Sequence, residues 1–158
     1  HIDFAPIDAI EDALLARLRQ RHTRVSAERV VSGQAIVDNY QTLAAIEGFP
    51  VAQLDDKLLW TQALNNEDSL AVAALERFCL SLGSVAGDVA LVQGASAVVI
   101  AGGLGQRLTS VLPASGFAER FCAKGRFHGM MEKLPVKLIT HPQPGLFGAA
   151  AAFAKKYS

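Results

Sequence analysis

From Asp68 to Gly94 the chain keeps one helical period over many turns, through Leu70, Val72, Ala73, Leu75, Phe78, Cys79, Leu82, Val85, Ala86, Val89 and Ala90. Few charges interrupt it, so the spacing predicts one long buried helix that ends near Gly94. Gly83, Ala86, Gly87 and Ala90 lie along the same stretch. The glycines among them cost helix propensity, and small residues of either kind let another element come close. Any fold for this chain has to be built around that helix.

The flanking segments are shorter. Asp8 opens a helix through Ile10, Leu14, Leu15 and Leu18, with Glu11 and Asp12 in the first turn, where the helix dipole favours anions. Val25 to Gly33 reads as an ordered loop with a helical turn from Ser26. Ser32-Gly33 starts a second helix, which Gly48, Phe49 and Pro50 stop. Asp55 to Leu64 is a further short helix. Ala97-Val-Val-Ile-Ala followed by Gly102-Gly103 reads as a buried strand and a turn. Helices follow at Leu104 to Leu112 and Ser115 to Phe121, a strand at Leu134 to Thr140, and an Ala-rich helix from Gly145 to Ala154. The fold class is α/β, helix-rich with few strands.

Composition bounds the function classes. The 158 residues are 51% hydrophobic and 19% charged, enough apolar content for a sizeable core. Lys plus Arg and Asp plus Glu balance at 15 each, so no global field draws nucleic acid or an anionic membrane. No uninterrupted apolar run reaches the ~18 residues of a membrane span. The opening residues read as no secretory signal. Cys79 and Cys122 form no CxxC; two separate reduced thiols fit a cytoplasmic setting better than a disulfide.

Little of the chain has the spacing that chemistry needs. In Val98-Val-Ile-Ala-Gly-Gly a strand delivers Gly102 and Gly103 to the mouth of a helix. Without Cβ atoms these residues let a flat ligand lie against the backbone, beside free N–H groups. The same residues also read as a plain tight turn. Gly103-Leu-Gly105-Gln-Arg-Leu108 begins like a dinucleotide fingerprint, but Leu108 occupies the position that needs a small residue. His1, His22, His128 and His141 have no metal-ligand spacing, and no G-x-S-x-G elbow occurs. Glu28 sits in a loop flanked by Val25, Val30 and Val31, so its carboxylate needs a partner or a ligand. An ion pair with Arg29, Arg24 or another basic residue is the simpler of the two.

Six segments, in order and with similar gaps, resemble the bacterial glucokinase family. They are His1-Ile-Asp-Phe-Ala-Pro, Val25-Ser-Ala-Glu-Arg-Val-Val-Ser-Gly, Val99-Ile-Ala-Gly-Gly, Ala114-Ser-Gly-Phe, Lys124-Gly-Arg-Phe and His141-Pro-Gln-Pro-Gly-Leu-Phe-Gly-Ala. The resemblance implies an actin-like ATPase (ribonuclease H-like) fold of two domains around a cleft. Residues 1–158 would be the C-terminal part of its larger domain.

The implied activity is ATP-dependent phosphorylation of D-glucose to glucose 6-phosphate at the entry to glycolysis, with Mg2+ as the companion of ATP. By the same resemblance His1 and Glu28 are sugar contacts, and Gly102 and Gly103 are the adenosine contact. The family's aspartate base and phosphate loops match nothing in this sequence, so no catalytic residue is assigned and the chain alone is expected to be inactive. A homodimer is expected, because a sheet of two or three strands leaves edges open. Gln34-Ala35 replaces a usual Pro-Gly, Leu104-Gly-Gln replaces Ile-Val-Pro with Arg107 kept, and Cys122 replaces a polar residue. The competing reading is a non-catalytic sugar-binding or interaction domain of related ancestry.

Overall fold

The computed structural model describes residues 2–50 and 54–157. Helix α1 (Ala9–Arg19) starts where the Asp8 carboxylate accepts from the N–H groups of Ile10 and Glu11, at 3.1 and 3.0 Å. A five-residue α2 (Ala27–Val31), α3 (Ala35–Ile46) and α4 (Asp56–Leu64) follow. Then comes α5 (Ser69–Gln93), 25 residues long. Asp68 caps its start through Leu70 and Ala71, and Gly94 ends it in the left-handed conformation at φ 57°. The long helix read from the sequence is therefore present, with both signals at its ends.

Helix α5 is the axis of the molecule. Helices α2, α3 and α4 pack along it, as does α7 (Phe117–Cys122). Its small residues do what their spacing predicted. A Cβ on Gly83 would lie 2.3 Å from the carbonyl oxygen of Phe117, and one on Gly87 would lie 2.6 Å from that of Phe121. Gly116, just before α7, returns the contact, since a Cβ there would meet Leu80 at 2.4 Å. The two helices thus touch backbone to backbone.

The main core gathers Ile36, Leu59, Phe78, Leu108 and Met131. A smaller one joins Phe4, Leu14, Leu15, Leu18, Val25 and Val30, with Val85 of α5 against it. Among the described residues α5 is the one helix long and apolar enough to cross a membrane, and half of that stretch is buried in this core.

Two three-residue strands, β1 (Val98–Ile100) and β2 (Val136–Leu138), pair in parallel, with Val98 opposite Val136 and Ile100 opposite Leu138. Two expectations are corrected here. Strand β1 is not buried: Val98 and Ile100 pack inward while Val99 is 55% exposed, because among the described residues only one face and one edge are covered. The helix after the glycines is also shorter than expected. Helix α6 (Gly103–Arg107) gives way to a turn at Thr109 and a single 3-10 turn at Leu112–Ala114, where Pro113 has no N–H to continue α-helical bonding. After α7 come the short α8 (His128–Met131), which periodicity did not reveal, then β2 and α9 (Pro144–Tyr157). Both cysteines are free thiols, Cys79 buried and Cys122 half-buried.

Candidate functional site

Residues 2–4 run antiparallel to residues 25–27. Phe4 N–H donates to the Val25 carbonyl at 3.0 Å and Ala27 N–H donates to that of Ile2 at 2.9 Å, around a bridge between Asp3 and Ser26. This pairing sets the start of α2. Its period then turns Ala27 and Val30 into the core and leaves Glu28 and Arg29 outside. The helical turn expected from Ser26 is present as α2, but the apolar surroundings expected for Glu28 are corrected. Glu28 is the second residue of a short helix and is exposed, because the neighbouring valines point the other way. Ser26, Glu28, Arg29 and Ser32 line a polar hollow of about 260 Å³. Arg24 pairs with Asp3, and Arg29 Nη1 donates to His22 Nε2 at 3.2 Å. His1 lies outside the described residues.

Gly102 and Gly103 stand at the carboxyl end of β1. Gly102 has φ 84° and ψ −168°, a region that side chains exclude, and it initiates α6. A Cβ on either residue would meet nothing within 4 Å, so both backbones face open space. Ile139 N–H donates to the Ile100 carbonyl at 2.9 Å, so the turn emerges from the carboxyl ends of the parallel pair, where ligands of α/β folds bind. Gly105 serves a different purpose: a Cβ there would lie 3.3 Å from the Ile100 carbonyl and 3.4 Å from that of Ile139. It seats α6 on the strand ends. The open, Cβ-free surface leaves room for a flat group against the backbone. For a metal the donor set is lacking, since no three His, Cys, Asp or Glu side chains gather among the described residues.

Two arrangements escaped the sequence reading. In the first, Asp8 and Glu11 of α1 meet Arg77 of α5 and Arg120 of α7. Arg77 donates to both Asp8 oxygens at 2.7 Å, Arg120 also bonds Asp8, and the two guanidiniums lie 3.3 and 3.2 Å from Glu11 Oε1. Burial works against the Asp8 charge, but bonds from Arg77, the Glu11 N–H and Arg120 outweigh it and hold the carboxyl below its ordinary range. Glu11 is buried, and its other oxygen accepts from Ile7 N–H at 2.8 Å. The Asp8-x-x-Glu11 spacing carried a capping signal. Nothing local pointed to arginines 69 and 112 residues away.

The second arrangement centres on Trp60 of α4. Its ring meets Phe78 edge-on at 5.4 Å, its Nε1–H donates to the Gly33 carbonyl at 3.0 Å, and Arg107 lies over it at 5.5 Å. Its signal was only the lone tryptophan in an apolar helix.

The glucokinase family model matches residues 1–156. The chain is 63% identical to a glucokinase of Zymomonas mobilis over all of its own length and 49% of that protein. It is 43% identical to a glucokinase of Pectobacterium atrosepticum, covering 96% of this chain and 47% of that one. A crystal structure of glucokinase from an Antarctic psychrotroph superposes with a TM-score of 0.86 at 36% identity, over 98% of this chain and 48% of the other. The chain spans about half the length of the curated relatives it matches. By sequence and by architecture together, the chain belongs to the glucokinase family.

Proposed function

We propose that this chain forms the sugar- and nucleoside-facing part of an ATP-dependent glucokinase, within the larger domain of an actin-like ATPase fold. The reaction moves the γ-phosphoryl of Mg-ATP to the 6-hydroxyl of D-glucose. The family match along residues 1–156 carries this reading. The exposed Glu28 beside its polar hollow supports a sugar contact there, since a carboxylate accepts from hexose hydroxyls by charge-assisted hydrogen bonds. His1 is proposed to donate to a further hydroxyl. The bare backbone at Gly102 and Gly103 supports an adenosine contact. Magnesium would travel with the ATP phosphates, and no step is assigned to it on this chain.

Phosphoryl transfer is mostly positioning plus charge stabilisation, with a carboxylate taking the hydroxyl proton. The family's base and phosphate loops match no segment here, so the chain alone is proposed to turn over no glucose. The test is a hybrid in which this chain replaces the matching half of the Zymomonas relative. The hybrid is expected to phosphorylate glucose and the separate chain to be silent in the same coupled assay. A hybrid that binds glucose without turning it over would return the chain to the non-catalytic reading.

A further inference from the structure

Trp60 is buried at 2% exposure, yet its N–H and its ring face each reach toward a candidate binding region. Its indole N–H is spent on the carbonyl of Gly33, two residues beyond the end of α2, whose exposed side carries Glu28. Its ring face lies 5.5 Å from the guanidinium of Arg107, the last residue of the helix that Gly102 and Gly103 begin. Its edge is locked against Phe78 of the central helix. A leucine would fill an apolar gap equally well, so packing alone does not call for an indole. The N–H fixes a turn that lacks side-chain support, since neither Ser26 nor Gln34 makes a side-chain cap at α2 or α3. The ring face holds the end of a five-residue helix by cation–π attraction.

We propose that Trp60 is a positioning residue for both ligands. Its N–H sets the sugar side through Gly33, and its ring sets the nucleoside side through Arg107. This rests on the proposed function above. The two contacts use different parts of one side chain, so they separate experimentally. In the hybrid, Trp60→Phe keeps a ring under Arg107 but removes the N–H. Glucose KM is expected to rise about three- to tenfold, as for one lost hydrogen bond, with the ATP KM within about twofold of the parent. Arg107→Gln, at an exposed position that leaves the core intact, is expected to raise the ATP KM about twofold to fivefold and leave glucose alone.

Trp60→Leu should move both constants. A purely structural Trp60 would lower Tm in Trp60→Phe with both constants unmoved, and that result would overturn the inference. Should Trp60→Phe fail to fold, Arg107→Gln with an unchanged ATP KM does the same. A parent hybrid without turnover removes the proposed function, and this inference with it. A parent with normal constants that neither variant shifts removes this inference alone.

Discussion

Helices α5 and α9 are built from much the same residues and meet opposite fates. Both are rich in alanine, glycine and large apolar side chains. Helix α5 buries ten residues against neighbours on several sides, while α9 has none buried and leaves Leu146, Phe147, Phe153 and Tyr157 each more than 60% exposed. The difference lies in what the glycines face. In α5 they admit the backbone of α7, but at Gly145 and Gly148 in α9 an added Cβ would meet open space. Glycine in a helix is a cost that only a close neighbour offsets. Composition alone says a helix is apolar, and the partner decides whether that becomes stability.

The largest effect expected on this contrast comes from charge at the α5 packing. Glu11→Ala leaves Arg77 and Arg120 facing a cavity, and should lower stability by about 3–5 kcal/mol in urea denaturation. A loss under ~1 kcal/mol would mean that Asp8 alone holds the two arginines. Next comes Gly83→Ala, expected to cost about 2–3 kcal/mol because its Cβ cannot avoid the Phe117 carbonyl. The same change at Gly148 should raise stability by about 0.5–1 kcal/mol through propensity alone. Opposite signs for one chemical change would sharpen the comparison, and equal signs would break it.

Asp8 adds a pH signature. Its carboxyl is held below the ordinary range in the folded chain, so its stabilisation is complete above the unfolded pKa of about 3.9 and fades as pH falls through the lower folded value. Asp8→Asn should therefore flatten the acid limb of stability against pH below about 4, and the difference between the two curves is the measurement. The smallest effect on stability is expected in α9. Leu146→Ser with Phe153→Ser should leave Tm within about a degree but weaken self-association, which sedimentation velocity reads directly. A monomeric parent at high concentration would remove the homodimer expected from the open sheet edges.

The sequence made α5 legible because its period, its cap at Asp68 and its stop at Gly94 all agree. The start of α1 at its Asp8 cap was legible for the same reason, and the apolar period alone placed α4, whereas α3 starts at Ala35, past the expected Ser32-Gly33, because no side chain caps it. Helix α6 was overextended because apolar spacing from Leu104 to Leu112 continues past the point where Thr109 bonds back to the Gly105 carbonyl. The exposure of Glu28 is hidden in the sequence because its valine neighbours look apolar in line, while α2 turns Ala27 and Val30 inward and Glu28 outward. The Asp8–Glu11–Arg77–Arg120 cluster and the double contact of Trp60 join residues far apart in the chain, so no local pattern carries them. The candidate ligand residues came from family resemblance. Geometry added that Glu28 is accessible and that the Gly102–Gly103 backbone is open.

The most direct test of the central claim, that Glu28 is a sugar contact, is Glu28→Gln in the hybrid with the Zymomonas relative. The substitution keeps the shape and removes the charge at an exposed position. Glucose affinity is expected to fall about ten- to a hundredfold, as for one charge-assisted hydrogen bond made neutral, while the ATP constant and the melting curve stay in place. A lower Tm with unchanged glucose affinity would make Glu28 a structural ion-pair partner and contradict the claim.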